Sequence, residues 1–190
     1  MRLFSRLFGK TRATASPPET QAAQLHIPTV QFDQSRVTTA VEAEIRATLQ
    51  AVPEIGAVEF AVVHNAALRS VSAGRNLALL SEALARCGFT KSRASEVALL
   101  VHNRASSLMD RERQASLGIV EAIWVHSGAP CFINSKRPSP EDQRRDANHL
   151  AINGKRYVIA EGVMVRGQQI WPGQEPGCKC IARALVAGFD

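Results

Sequence analysis

The sequence predicts an α+β fold in which the first two thirds are helical and a small antiparallel β subdomain follows. Aromatic residues make up only 5% of the 190 residues and alanine is abundant, which favours helices over a sheet-rich fold. Apolar residues recur at helical spacing as far as residue 117, and short β-branched runs separated by glycines replace them from residue 119 onward. We therefore expect a disordered basic tail and linker at 1–34, a helical region at 35–118 and the β subdomain at 119–190.

Apolar spacing and capping residues place four helices in the helical region. Ser35 and Thr90 are candidate N-caps of the first and the last helix, and Gly88 is a candidate C-terminal glycine of the third. His102 falls within the last and longest helix, and we interpret it as a surface residue. The four helices are expected at 35–50, 55–69, 76–87 and 91–117.

Four short β-branched or alternating segments predict the strands of the β subdomain, at 119–125, 157–160, 163–165 and 180–186. Glu161-Gly162 is a two-residue hairpin signal between the second and third of them, and Gly167 predicts a further turn. The polar, proline-containing segment 127–148 is interpreted as a loop that leads to His149. Loops of this length in a compact domain are usually functional or mobile.

Four cysteines in a chain of this length, two of them separated by one residue, do not indicate a disulfide framework, so a reducing compartment is expected. His149, Cys178 and Cys180, with Cys131 as a fourth ligand, would offer zinc one imidazole and three thiolates. A Cys-x-Cys chelate requires a local turn, which Pro176-Gly177 can supply. The alternative is that both thiols of the pair pack as small hydrophobic groups on the last strand. We favour that alternative, so zinc remains open and no cofactor is predicted.

Short motifs follow one another in a defined order over the last third of the chain. They are a strand that ends in Trp124, His149 before Asn-Gly154-Lys, the pair Pro172-Gly173, and Cys178-Lys-Cys180. In this order they resemble the signature of the phage Mu F-like head-morphogenesis family. The long helix of that family carries an Ala-Arg-Thr-Glu string, and the matching stretch here, 100–105, lacks the acidic residue. The positions that carry the resemblance are Trp124, His149, Gly154, Pro172, Gly173, Cys178 and Cys180.

The resemblance implies a non-enzymatic minor head protein of a tailed phage or prophage. Such a protein would be assembled near the portal, with the portal and other head proteins as its partners. It would reside in the virion, inside the capsid, after assembly in the host cytoplasm. No stretch of the sequence is long and apolar enough to predict a membrane span.

The net charge of +6 suits an acidic partner, such as DNA bound without sequence preference. Two other functions remain open. One is a small nuclease or toxin-like enzyme, in which His149 moves a proton and neighbouring arginines hold a phosphate. The other is a zinc-stabilised nucleic-acid-binding module. The basic residues expected to contact nucleic acid or a partner are Arg137, Arg144, Arg145, Lys155 and Arg156.

Overall fold

The helical part of the predicted α+β fold is present as four helices, in a computed structural model that describes residues 33–186 and residue 188. The prediction of a disordered tail at 1–34 therefore lies outside the described residues, apart from its last two positions. A short 3-10 helix, Gln34–Arg36, precedes the first α-helix. The helices are α1 (Thr39–Gln50), α2 (Ala57–Ser72), α3 (Leu77–Arg86) and α4 (Lys91–Ser116).

The N-cap of α1 is Thr38, so the prediction of Ser35 was wrong. The Thr38 hydroxyl accepts a hydrogen bond from the Val41 amide at 3.2 Å, as an N-cap requires. Ser35 instead lies inside the 3-10 helix, where its own amide donates to the Asp33 carboxylate. The Thr90 cap of α4 is confirmed by a bond from the Arg93 amide. The segment interpreted as a second helix is helical over Ala57–Ser72.

The four helices pack on one continuous apolar core, to which each contributes fully buried side chains such as Ile45, Val63, Leu84 and Val101. These positions follow the helical spacing that predicted the helices, because residues three and four apart share one face. None of the helices within the described ranges combines the length and apolar character that a membrane crossing requires.

His102 lies in this core and not on the surface of α4, so the expectation of a surface histidine was wrong. Its side chain is 1% exposed, and its Nε2 lies 2.8 Å from the Ser70 hydroxyl. Ser70 donates its only hydroxyl proton to the Asn76 carbonyl, so the His102 ring must be the donor in the shared bond. Burial, and secondarily the charge of Arg75, lowers the pKa of His102 from 6.5 to about 4.

A pH-dependent loss of stability follows from His102. The unfolded chain binds a proton near pH 6.5 and the folded chain only near pH 4. The free energy of unfolding is therefore not reduced by His102 above pH 6.5, and it falls as the pH drops from 6.5 toward 4. Urea unfolding at pH 7 and pH 5 should show that the wild type loses about 2 kcal/mol more than His102→Gln over this interval. Equal losses in the two proteins would contradict the assignment.

The β part follows α4 and contains a fifth helix that the sequence analysis missed. Its elements are β1 (Glu121–Val125), α5 (Pro140–Ala151), β2 (Arg156–Val158), β3 (Val163–Val165), β4 (Gln168–Ile170) and β5 (Ile181–Ala184). The segment interpreted as a loop up to residue 148 thus ends in a helix of 12 residues. Ser139 and Asp142 form a capping box at its start, with Pro140 in the first turn.

The strands form two small antiparallel sheets. The first has the order β2-β1-β5, so β1 lies in its centre, and the second pairs β3 with β4. The predicted hairpin across Glu161-Gly162 is therefore wrong, because β2 pairs with β1 and the next strand turns at Arg166-Gly167 instead. A Cβ atom added at Gly162 would lie 2.8 Å from the Ile170 carbonyl oxygen, which shows how closely the backbone at Gly162 approaches β4.

Candidate metal centre

Three cysteines and one histidine, contributed by two loops and one helix, meet in the interior of the β part. Cys131 lies in the loop after β1, His149 is on α5, and Cys178 and Cys180 precede β5. All four are buried, with at most 4% of each residue exposed. Their ligand atoms all lie within 4.8 Å of one another. The structure therefore contains a four-residue cluster that can hold a metal ion, and we call it the Cys3His cluster.

The distances within the Cys3His cluster are short and similar. The sulfur atoms of Cys131 and Cys180 are 3.7 Å apart. The Nδ1 atom of His149 lies 3.6 Å from the sulfur of Cys178 and 3.7 Å from that of Cys180. The four atoms thus surround a common centre, and the thiols do not simply line one face of a strand.

The turn that a Cys-x-Cys chelate requires is present. Gly177 has a φ of 70°, and the Cys178 amide donates to the Glu175 carbonyl at 3.0 Å. Both thiols of the pair precede β5 and do not occupy alternate positions within it. Two backbone amides point at sulfur atoms of the cluster. The Gly173 amide donates to the Cys178 sulfur at 3.3 Å, and the Lys179 amide donates to the Cys131 sulfur at 3.4 Å. Such amides stabilise negative charge on sulfur.

Glu175 fixes the orientation of the His149 ring. Its carboxylate lies 2.6 Å from Nε2, on the side of the ring that faces away from the cysteines. A carboxylate accepts a hydrogen bond from the Nε2–H group, so it leaves Nδ1 free to face the sulfur atoms. The role of Glu175 was not predicted from the sequence, because a carboxylate near a histidine in space has no fixed spacing along the chain.

The contacts within the Cys3His cluster shift the pKa values of Cys131, His149 and Cys180. Contacts with Cys178 and Cys180 lower the pKa of Cys131, whereas contacts with Cys131 and Cys178 raise that of Cys180. Burial by itself would lower the pKa of His149, but interactions with Cys131, Cys178 and Glu175 raise it to about 11. The protonation states of Cys131, His149 and Cys180 therefore depend on one another. A metal ion that replaces these protons would bind thiolates and a neutral imidazole.

A second histidine supports the loop that carries Cys131. The His126 ring accepts a bond from the Gly128 amide through Nδ1 at 3.2 Å, so Nε2 carries the proton that is donated to Asp146 at 3.0 Å. Asp146 also accepts from the Cys131 amide at 2.7 Å. His126 thus lies 4.0 Å from the Cys131 sulfur as a neighbour with both ring nitrogens engaged.

Helix α4 holds the segment that contains the paired cysteines. Asn103 donates to the Cys178 carbonyl at 3.3 Å, Arg104 donates to the Gln174 carbonyl at 3.0 Å, and Ser107 donates to the Pro172 carbonyl at 2.7 Å. Asn103 and Arg104 fall in the stretch that matches the Ala-Arg-Thr-Glu string of the phage family. The sequence analysis did not assign them this positioning role.

Both tryptophans pack in the apolar core of the β part. Trp124 is fully buried, and its ring meets the edge of the His149 ring with centroids 5.2 Å apart. Trp171 packs against the apolar cluster of the β part that contains Trp124. Its indole nitrogen donates to the Ile159 carbonyl at 2.8 Å. Gly154, the glycine of the Asn-Gly turn, donates its amide to the Trp124 carbonyl at 2.8 Å.

The predicted basic contact residues do not form one group. Arg144 and Arg145 on α5 line one small cavity, and Arg145 is buried in an ion pair with Asp142. Arg156 on β2 forms an ion pair with Glu121 of the neighbouring strand. Arg137 and Lys155 are exposed, in the loop before α5 and in the turn after it respectively.

Comparison of this chain with family models, with curated proteins and with solved structures finds no match.

Proposed function

We propose that this chain is a non-enzymatic minor head protein of a tailed phage or prophage, whose β part is held together by zinc. The proposal combines the motif order of the last third of the chain with the geometry of the Cys3His cluster. Assembly near the portal, a place inside the capsid, and the portal and other head proteins as partners belong to the same proposal.

One observation carries the proposal: the motif residues, although separated along the chain, are joined in space. Trp124 contacts His149, and His149 approaches both Cys178 and Cys180. Gly154 is bonded to Trp124, Gly173 is bonded to Cys178, and Pro172 is anchored to α4. A chance series of short strings would have no reason to converge on one buried centre, whereas a family signature that builds a structural site would.

Zinc is the metal that the donor set favours. Tetrahedral zinc with bonds of about 2.3 Å to sulfur and about 2.0 Å to nitrogen places two sulfur atoms about 3.8 Å apart and sulfur and nitrogen about 3.5 Å apart. In the cluster, the sulfurs of Cys131 and Cys180 are 3.7 Å apart, and Nδ1 of His149 lies 3.6 Å from the sulfur of Cys178 and 3.7 Å from that of Cys180. Three thiolates and one imidazole form a closed set of ligands, which is typical of structural zinc.

The environment of His149 argues against the nuclease alternative. Its ring is fully buried, Nε2 is bonded to Glu175, and Nδ1 faces the sulfur atoms. A general base must reach the proton that it abstracts from a solvent-borne substrate. His149 has no ring nitrogen available for that task, so we assign it a structural role.

A zinc-stabilised nucleic-acid-binding module is the second candidate function. The observation that favours it is the cavity lined by Arg144 and Arg145, beside the Cys3His cluster. The two functions are compatible, because a head protein assembled near the portal can also contact DNA.

Co-expression with a portal protein encoded in the same phage or prophage genome tests the head-protein proposal. We expect the two proteins to co-purify, and we expect no cleavage of single- or double-stranded DNA or RNA, with or without divalent metal. The absence of an adjacent portal gene, or failure of the pair to co-purify, would contradict the head-protein assignment. Cleavage by the wild type that disappears in His149→Ala would instead support the enzyme.

A further inference from the structure

A cavity of about 150 Å³ lies between α5 and the hairpin of β3 and β4. We infer that it binds a phosphodiester group of a nucleic-acid backbone through Arg144, Arg145 and Arg166. At roughly 30 Å³ per water in the liquid, its volume holds a phosphate group and a few waters. The inference deepens the nucleic-acid contact within the proposed function by naming the site and the ligand group.

Arg145 supplies a buried donor for this ligand. The residue is 8% exposed, and one terminal nitrogen of its guanidinium is bonded to Asp142. Its Nε atom is buried and has no hydrogen-bond partner among the described residues. Because Nε is closed off from the cavity, a ligand there would reach Arg145 through the terminal nitrogens of its guanidinium. Guanidinium groups also match the geometry of phosphate oxygens.

Arg166 occupies a backbone position that does not favour arginine. Its φ is 52°, in the left-handed region, and Gly167 beside it has a φ of 82°. Two-residue hairpin turns of this kind prefer Asn, Asp or Gly, so the turn itself does not explain an arginine. The exposed Arg166 side chain lines the cavity that Arg144 and Arg145 line from α5. A ligand-binding role accounts for this costly choice of residue.

The charges around the cavity favour a singly charged ligand. Glu141 and Glu175 also line it, and they oppose the arginines. Glu175 is turned toward His149, and Arg145 is partly neutralised by Asp142. The balance leaves little net positive charge, which suits a phosphodiester with one negative charge better than a free phosphate with two.

The amides of Asn148 and Gln168 line the same cavity and offer both donors and acceptors. A nucleic-acid backbone presents phosphate oxygens together with sugar oxygens and, in RNA, 2′-hydroxyls. The mixed lining therefore fits a segment of backbone. The contact is to the backbone and carries no base recognition, so we expect binding without sequence preference.

Fluorescence anisotropy with a labelled oligothymidylate of about 20 nucleotides, at about 50 mM and about 200 mM salt, tests the inference. Arg166→Gly removes the guanidinium, and glycine suits the left-handed backbone. We expect this variant to bind at least about fivefold more weakly at low salt, with a salt slope lower by about one phosphate contact. Its thermal midpoint should be equal to that of the wild type or higher. A second variant, Arg144→Gln, should weaken binding in the same way.

The matched control is Arg113→Gln, which removes the same charge from an exposed position on α4 outside the cavity. It should change the affinity by less than about twofold, since it removes only a distant charge. Equal losses for Arg113→Gln and Arg166→Gly would overturn the site in favour of diffuse attraction. Competition by inorganic phosphate at the oligonucleotide's own concentration would overturn the phosphodiester assignment. An absence of oligonucleotide binding by protein that retains zinc and co-purifies with the portal would overturn this inference alone.

Discussion

Protein purified without chelator is expected to contain one zinc ion per chain and to lose it when Cys178 is changed to serine. The four ligand atoms lie within 4.8 Å of one another, and serine is a much poorer zinc ligand than thiolate. Because the ligands come from three separate segments, loss of the metal releases all of them from one another. We expect the free energy of unfolding to fall by about 3–5 kcal/mol or more, measured by urea unfolding alongside elemental analysis.

Cys87→Ser is the matched control, because Cys87 is a partly buried cysteine at the end of α3, outside the cluster. It should retain its full zinc content. Glu175→Gln should retain the ligands but weaken zinc affinity by about 10- to 100-fold, since it alters the group that orients His149. A zinc content well under one per chain in the wild type would support the alternative of packed thiols.

Gly177→Ala is expected to destabilise the protein by about 3–5 kcal/mol and to lower its zinc content. The residue has a φ of 70°, and an added Cβ would lie 2.6 Å from the Ile133 amide nitrogen and the Phe132 carbonyl carbon. These are backbone atoms of the loop that carries Cys131, so they cannot move aside as a flexible side chain can. Relief of the clash must therefore displace Cys131 or Cys178 from the cluster.

Gly154→Ala separates the clash from the effect of the backbone conformation. Gly154 has a φ of 80°, and nothing lies within 4 Å of its added Cβ. This variant should lose only the cost of a left-handed alanine, about 1–2 kcal/mol, and keep its zinc. Thermal unfolding and metal analysis of Gly177→Ala and Gly154→Ala would measure the effect of the clash and the effect of the backbone conformation separately. Equal destabilisation would show that the approach of Gly177 to the loop is unimportant.

Helix α5 became evident only in the tertiary structure, although the sequence contains the residues of a helix start. Ser139-Pro140-Glu141-Asp142 combines a capping residue, a proline in the first turn and a carboxylate three residues after the cap, all typical of a helix start. The following residues are mostly polar, so they lack the apolar stripe by which the other helices were recognised. Helix α5 instead buries polar groups: Asp142, Arg145 and His149.

His102 illustrates the same point within a correctly predicted helix. The sequence predicted α4 to within one residue at its end, but a histidine between Val101 and Asn103 gave no clear indication of burial. Its place in the core depends on Ser70 of α2, which is 32 positions away and supplies the hydrogen bond that makes burial tolerable.

The sequence by itself determined the α+β class, the four helices before residue 118 and the four residues that a metal can use. Periodic apolar residues, capping residues and glycines report local structure, and cysteine and histidine are recognisable as ligands wherever they occur. Only the tertiary structure decided which strand pairs with β2, that His149 lies on a helix, and that Glu175 and Asn103 contact members of the Cys3His cluster. Those facts depend on contacts between segments far apart in the chain, and such contacts leave no fixed spacing in the sequence.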